Sequence, residues 1–148
     1  MTELQHQCDT LASTSNSSLL RQVSPTNLLG FSCNGLLTEW TARAPLLLCM
    51  LSAVAGKSDR PAALSLAGAL LLHQRCKHLV LYQDILGLIL DFGGATDTTI
   101  SALAQCGVAC SLSTLHRLKK QIEIYHYEYV IGPLLPRSQA ESGIRVLP

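Results

Sequence analysis

Two aspartates, Asp84 and Asp91, stand seven residues apart in the apolar run LVLYQDILGLILDF. Seven residues is close to two helical turns, so both carboxylates fall on one helix face. Such a pair invites general acid–base work or metal binding. Either site needs a third acidic residue, a His or a Lys, and the sequence places none to join them. The pattern is that of two aspartates on the wet face of an otherwise buried helix.

Two groups of metal-ligand types are also present. His73, Cys76 and His78 cluster near the end of one apolar run, but their spacings match no zinc pattern. Cys106 and Cys110 have an admissible spacing, yet the steps onward to His116 and His126 are not those of a finger. No metal ligands and no cofactor are therefore expected. The chain has no nucleophile elbow, P-loop, dinucleotide or metal-hydrolase motif, so no catalytic residues are assigned and an enzyme is not expected.

The remaining chemistry is electrostatic. In Leu112–Tyr125, Leu112, Leu115, Leu118, Ile122 and Tyr125 form one apolar stripe at helical spacing, while Ser113, His116, Arg117 and Lys120 fall on the opposite face. Lys119 lies near the stripe's edge, where it can snorkel. Positive charge gathers here, after a stretch from Leu79 to Cys110 that holds three aspartates and no Lys or Arg. A recognition helix presents such a face to phosphates and base edges. Ser113, His116, Arg117 and Lys120 are thus the candidate DNA contacts.

The elements that position this face read as helices. Thr96 or Asp97 can cap a helix that turns Ile100, Leu103, Ala104 and Cys106 inward; Gly107 breaks it, Val108 plugs the turn, and Ser111 caps the basic helix. The span 96–125 therefore has the outline of a helix-turn-helix, with a path from Gly107 to Thr114 wider than in compact versions. Upstream, Pro45 and Pro61 sit where helices can begin, and Gly56 and Gly93-Gly94 where they can end. Leu46–Val54 is apolar nearly all round and is expected to be buried. Trp40, the one tryptophan, reads as a core anchor.

Apolar residues make up 48% of the chain while aromatics make up 5%, a leucine- and alanine-rich mix that favours helices over sheet. The expected fold is all-α: a small bundle of about five helices ending in the helix-turn-helix-like unit. Residues 1–26 are polar and predicted to be a disordered tail, 27–130 the helical domain, and 131–148 a second disordered tail. Charged residues are only 14%, which suggests a surface covered by a partner, and the net charge of +1 does not mark a nucleic-acid binder in bulk. The apolar runs are too short to span a membrane, and no early apolar run marks a secretory signal. An intracellular protein, nuclear or cytoplasmic, is expected, with its six cysteines as free buried thiols.

The segments FSCNGLLTEWTARAPLLLCML, RPAALSLAGALLLHQRCKHLVLYQDILGLILDFGGAT and ISALAQCGVACSLSTLHRLKKQI, between Phe31 and Tyr127, resemble a region of uncharacterised, transposon-derived proteins of fungi and animals. The resemblance is carried by Trp40, Ala44 and Pro45, then Arg75, Gln83 and Gly87, then Gly107, Ser111 and Thr114. It implies the helical N-terminal part of a longer protein, upstream of an uncharacterised or nuclease-like domain, and it lends no catalytic residues. Three functions follow as expectations. One is a non-catalytic protein-interaction or oligomerisation module, partnered by another protein or by itself. The second is DNA binding through the 112–125 helix. The third is a truncated remnant without selected function.

Overall fold

Several helices begin on proline or on a side-chain cap that the sequence writes plainly. Pro45 opens α4 (Pro45–Ala55), Pro61 opens α5 (Pro61–Arg75), and Ser111 opens α8 (Leu112–His126) by accepting a hydrogen bond from the Thr114 amide at 3.3 Å. The computed structural model describes residues 1–15, 17–56, 60–131 and 133. Within them lie eight α-helices and no strand. The others are α1 (Glu3–Ala12), α2 (Pro25–Leu29), α3 (Cys33–Arg43), α6 (Leu81–Phe92) and α7 (Asp97–Gln105). A 3-10 turn, Leu19–Arg21, joins α1 to α2, and a π-helical segment, Tyr127–Ile131, prolongs α8. The all-α class is as expected; the helix number is not.

The N-terminal stretch corrects the expected tail. Thr2 and Gln5 form a reciprocal capping box that starts α1, and Leu4, Cys8 and Leu11 recur at helical spacing on one face. Cys8 and Leu11 enter the core, and Leu20 follows them from the 3-10 turn. Polar side chains then fasten the segment. The Gln7 Oε1 accepts the Leu46 amide at 3.0 Å, capping α4 where Ala44 has no side chain to do so. Arg75 pairs with Asp9 at 2.8 Å, and Ser18 donates to Glu39 at 3.0 Å. Composition counts residues; a few well-spaced apolar groups suffice to anchor a helix whose other faces are polar. The expected tail at 131–148 lies outside the described residues except for 131 and 133.

The buried side chains form two clusters. In the first, Trp40 of α3 is fully buried among Leu11, Leu36, Leu47, Ala69, Leu72 and Tyr82. The expected anchor role holds, and it demands Gly68: a Cβ there would lie 2.4 Å from the Trp40 ring. The second cluster joins Leu28 of α2, Leu81 and Leu88 of α6, Ile100 of α7, and Leu115 and Leu118 of α8. α6 contributes to both, and an edge-to-face pair of Phe31 with Tyr82, centroids 5.3 Å apart, sits between them.

Candidate functional site

α7 and α8 meet as two helices around a turn in which Gly107 takes φ +75, a left-handed conformation that suits glycine. Thr96 caps α7 by accepting from the Thr99 amide at 3.3 Å. The packing of this unit departs from the expected list. Ile100 is fully buried, Leu103 and Ala104 are half-buried, and Cys106 is exposed. The turn is plugged by Ala109 and Cys110 rather than by Val108, because the Cys110 amide donates to the Gln83 carbonyl of α6 and draws this part of the turn inward. The α8 stripe is deepest at Leu115 and Leu118 and half-buried at Leu112, Ile122 and Tyr125.

All four candidate contacts, Ser113, His116, Arg117 and Lys120, are exposed. Lys119 does not join them, since it pairs with Asp91 of α6 at 2.8 Å. This pair also separates the two aspartates. Asp91 is half-buried and ion-paired, while Asp84 is 2% exposed and faces the interior. The expectation of two solvated carboxylates is corrected at Asp84: one end of α6 is enclosed by α5 and the 107–110 turn, and the other end is not.

Asp84 lies on the floor of a cleft of about 590 Å³, together with Gln83 and Cys110; Arg21, Lys77 and Arg117 are on its walls. Burial pushes the Asp84 carboxyl up to about 6, and the Arg117 guanidinium and Cys110 thiol beside it pull the other way. Burial, reinforced by the Asp84 charge, pushes Cys110 up to about 12, so it stays a thiol and is a poor nucleophile. His73 near the same cleft is held below its ordinary value by burial and by Lys77, with its Nδ1 3.2 Å from the Leu79 carbonyl oxygen. Arg21 is fastened through its Nη2 to the Ala12 carbonyl and the Cys76 sulfur at 3.7 Å. Sequence reading missed Arg21, because its segment looked like a tail. It also missed the burial of Asp84, because nothing in a seven-residue spacing tells the two carboxylates apart.

The ligand types noted in the sequence do not converge. Cys110 is buried against Gly87, whereas Cys106, His116 and His126 are exposed. No three His, Cys, Asp or Glu side chains among the described residues are grouped to hold a metal ion. The cysteines divide as well: only Cys8 and Cys110 are buried, and Cys49 and Cys106 are exposed, which corrects the expectation that all are core thiols.

α4 supplies a second surface. Leu47 is its one buried residue, while Leu46, Met50 and Val54 recur every four residues along the outer face, with Cys49 and Ala53 beside them. Val54 is 90% exposed. The expected burial of this helix is thus corrected: it packs on α1, α3 and α5 from one side and nothing described covers the other. No described helix is long and apolar enough to cross a membrane. The sequence matches no protein-family description, and neither a curated protein nor a solved structure matches it.

Proposed function

We propose that the chain is a non-catalytic helical module that associates with a second copy of itself through the outer face of α4. One observation carries this reading: an uncharged helix, PLLLCMLSAVA, leaves Leu46, Met50 and Val54 aligned and exposed. Exposed apolar residues in contiguous patches mark interaction surfaces more than scattered ones do. A two-fold axis brings the same patch of both copies together, and a face without charge offers nothing to repel its own image. The low overall charge of 14% fits a surface partly covered in use. Light scattering over a concentration series tests the reading. Wild type is expected to shift from monomer to dimer, and the pair Met50→Glu with Val54→Glu to remain monomeric. A wild-type chain that stays monomeric at its highest concentration rules it out.

A second reading, DNA binding, is supported by the exposure of Ser113, His116, Arg117 and Lys120 on one side of α8. Helical packing units related to transposon proteins, which the sequence resembles, suit either role, and so does a remnant that keeps its fold alone. If α8 meets phosphates, replacing Arg117 and Lys120 by Ala should lower the slope of log affinity against log salt by about 2. Absence of binding to mixed-sequence duplex at low salt removes this reading.

A further inference from the structure

A carboxylate is rarely buried without a partner, because removing its charge from water costs several kcal/mol unless a cation or several donors replace the solvent. The ion pairs among the described residues join Arg43 to Glu39, Arg75 to Asp9 and Lys119 to Asp91. Asp84 is in none of them, although it is 2% exposed; the Cys110 thiol hydrogen-bonds to its carboxyl, and the Arg117 guanidinium acts on it from the cleft wall. Gln83, equally buried beside it, gives its Nε2 to the Gly107 carbonyl at 3.4 Å, and its Oε1 takes no hydrogen bond from the described residues. On the floor of the cleft one weak donor, the Cys110 thiol, therefore serves the Asp84 carboxyl, and the Gln83 Oε1 is left without a donor among the described residues. The walls have the opposite character. Arg21 is held in place by its bonds to α1 and Cys76, while Lys77 and Arg117 are exposed and make no ion pair among the described residues.

A ligand that satisfies both ends must carry a cationic donor and an anion in one small molecule. We infer that the cleft between the end of α5, the start of α6 and the middle of α8 binds a small zwitterion, whose ammonium meets Asp84 and Gln83 and whose phosphate or carboxylate meets Arg21, Lys77 and Arg117. The cleft volume of about 590 Å³ lies in the range of small-molecule sites. An anion alone would leave the Gln83 Oε1 unmet and face the Asp84 carboxyl; an amine alone would leave Lys77, whose ammonium donates to the Gln74 Oε1 at 3.0 Å, and Arg117 without an ion-paired anion. Arg117 serves here from the exposed face of α8, so this site is separate from the α4 surface and does not depend on self-association.

Titration calorimetry on the full chain, near neutral pH, tests the inference with phosphoethanolamine and β-alanine as bifunctional probes and with inorganic phosphate and ethylamine as single-ended ones. At least one bifunctional probe should bind about tenfold more tightly than both single-ended probes, a difference of about 1.4 kcal/mol. Asp84→Asn, nearly isosteric, should reduce that probe to the affinity of a bare anion. Lys77→Ala with Arg117→Ala, both at exposed positions that leave the core intact, should reduce it to the affinity of ethylamine. Vesicles containing phosphatidylethanolamine distinguish a lipid headgroup from a free molecule: binding to them without binding to the soluble probes overturns the inference. So does a bifunctional probe no tighter than inorganic phosphate, or an affinity that neither the Asp84 variant nor the Lys77/Arg117 variant changes.

Discussion

Helices α4 and α6 are of similar length and are the most apolar in the chain, yet they end in opposite surroundings. α4 has no charged residue and buries only Leu47. α6 carries two aspartates and buries six residues, Asp84 among them. The difference lies in the number of sides from which each is covered. α4 leans on α1, α3 and α5 from one direction, whereas α6 is met by α2, α5, α7, α8 and the 3-10 turn. Hydrophobicity measures how much a helix gains by being covered; the neighbours available decide how much of it is covered.

Truncation separates the two helices most sharply. Leu88→Ala, on the enclosed side of α6, should cost about 2–5 kcal/mol in chemical denaturation, because a cavity is left inside the second core. The comparison fails if Leu88→Ala costs no more than a surface change.

The next effect reads the environment rather than the packing. The Asp84 carboxyl is raised to about 6 in the folded chain, so the folded state holds its proton more tightly than the unfolded one. Its contribution is complete below about pH 4 and is lost as pH rises through about 6. Stability measured relative to Asp84→Asn should fall by roughly 2–3 kcal/mol over that window. His73, whose value is lowered, acts in the opposite direction: its contribution is present above its ordinary value and lost as pH falls. The difference between wild type and Asp84→Asn isolates the carboxyl. A flat difference from pH 4 to 7 means that Asp84 is solvated after all.

Smaller still is Gly87→Ala. A Cβ at Gly87 would lie 2.5 Å from the Cys110 sulfur, and relieving that overlap should cost about 1–3 kcal/mol, seen as a lower melting temperature. A Cys110→Ala background should recover most of the loss. At the bottom of the scale, Val54→Ser on α4 should change monomer stability by no more than about 0.5 kcal/mol. A larger loss in dilute, monomeric protein would show that the outer face of α4 is packed within the chain.

Much of the helical content was legible because the signals are local. Pro45, Pro61, Thr96 and Ser111 mark starts, and Gly107 marks a turn whose φ of +75 few other residues adopt easily. The α8 stripe was equally clear, since a helix half in water must show its period. Less legible were features fixed by distant partners. α1 escaped notice because its apolar face is narrow and its restraints come from Leu46, Arg75 and the Trp40 cluster. Burial of α4 was overestimated, because a sequence window cannot count the helices that will flank it. Of the residues around the cleft, Arg117 was singled out from the sequence, but for its outward face. Asp84 looked like Asp91 until α5 and the 107–110 turn closed over one and Lys119 reached the other.

The position of α6 across both clusters bears on how the chain opens and recloses. Tyr82 is held by the first cluster and Leu81 and Leu88 by the second. Loosening α1 and α4 leaves α6 clasped by α8, and loosening α7 leaves it clasped by the Trp40 side. Its amides can reach solvent only when both groups let go, so they should be among the last to exchange with deuterium, at rates set by global unfolding, while those of α1 and α4 exchange through smaller excursions. α6 is thus the seam that makes two modest cores behave as one cooperative unit.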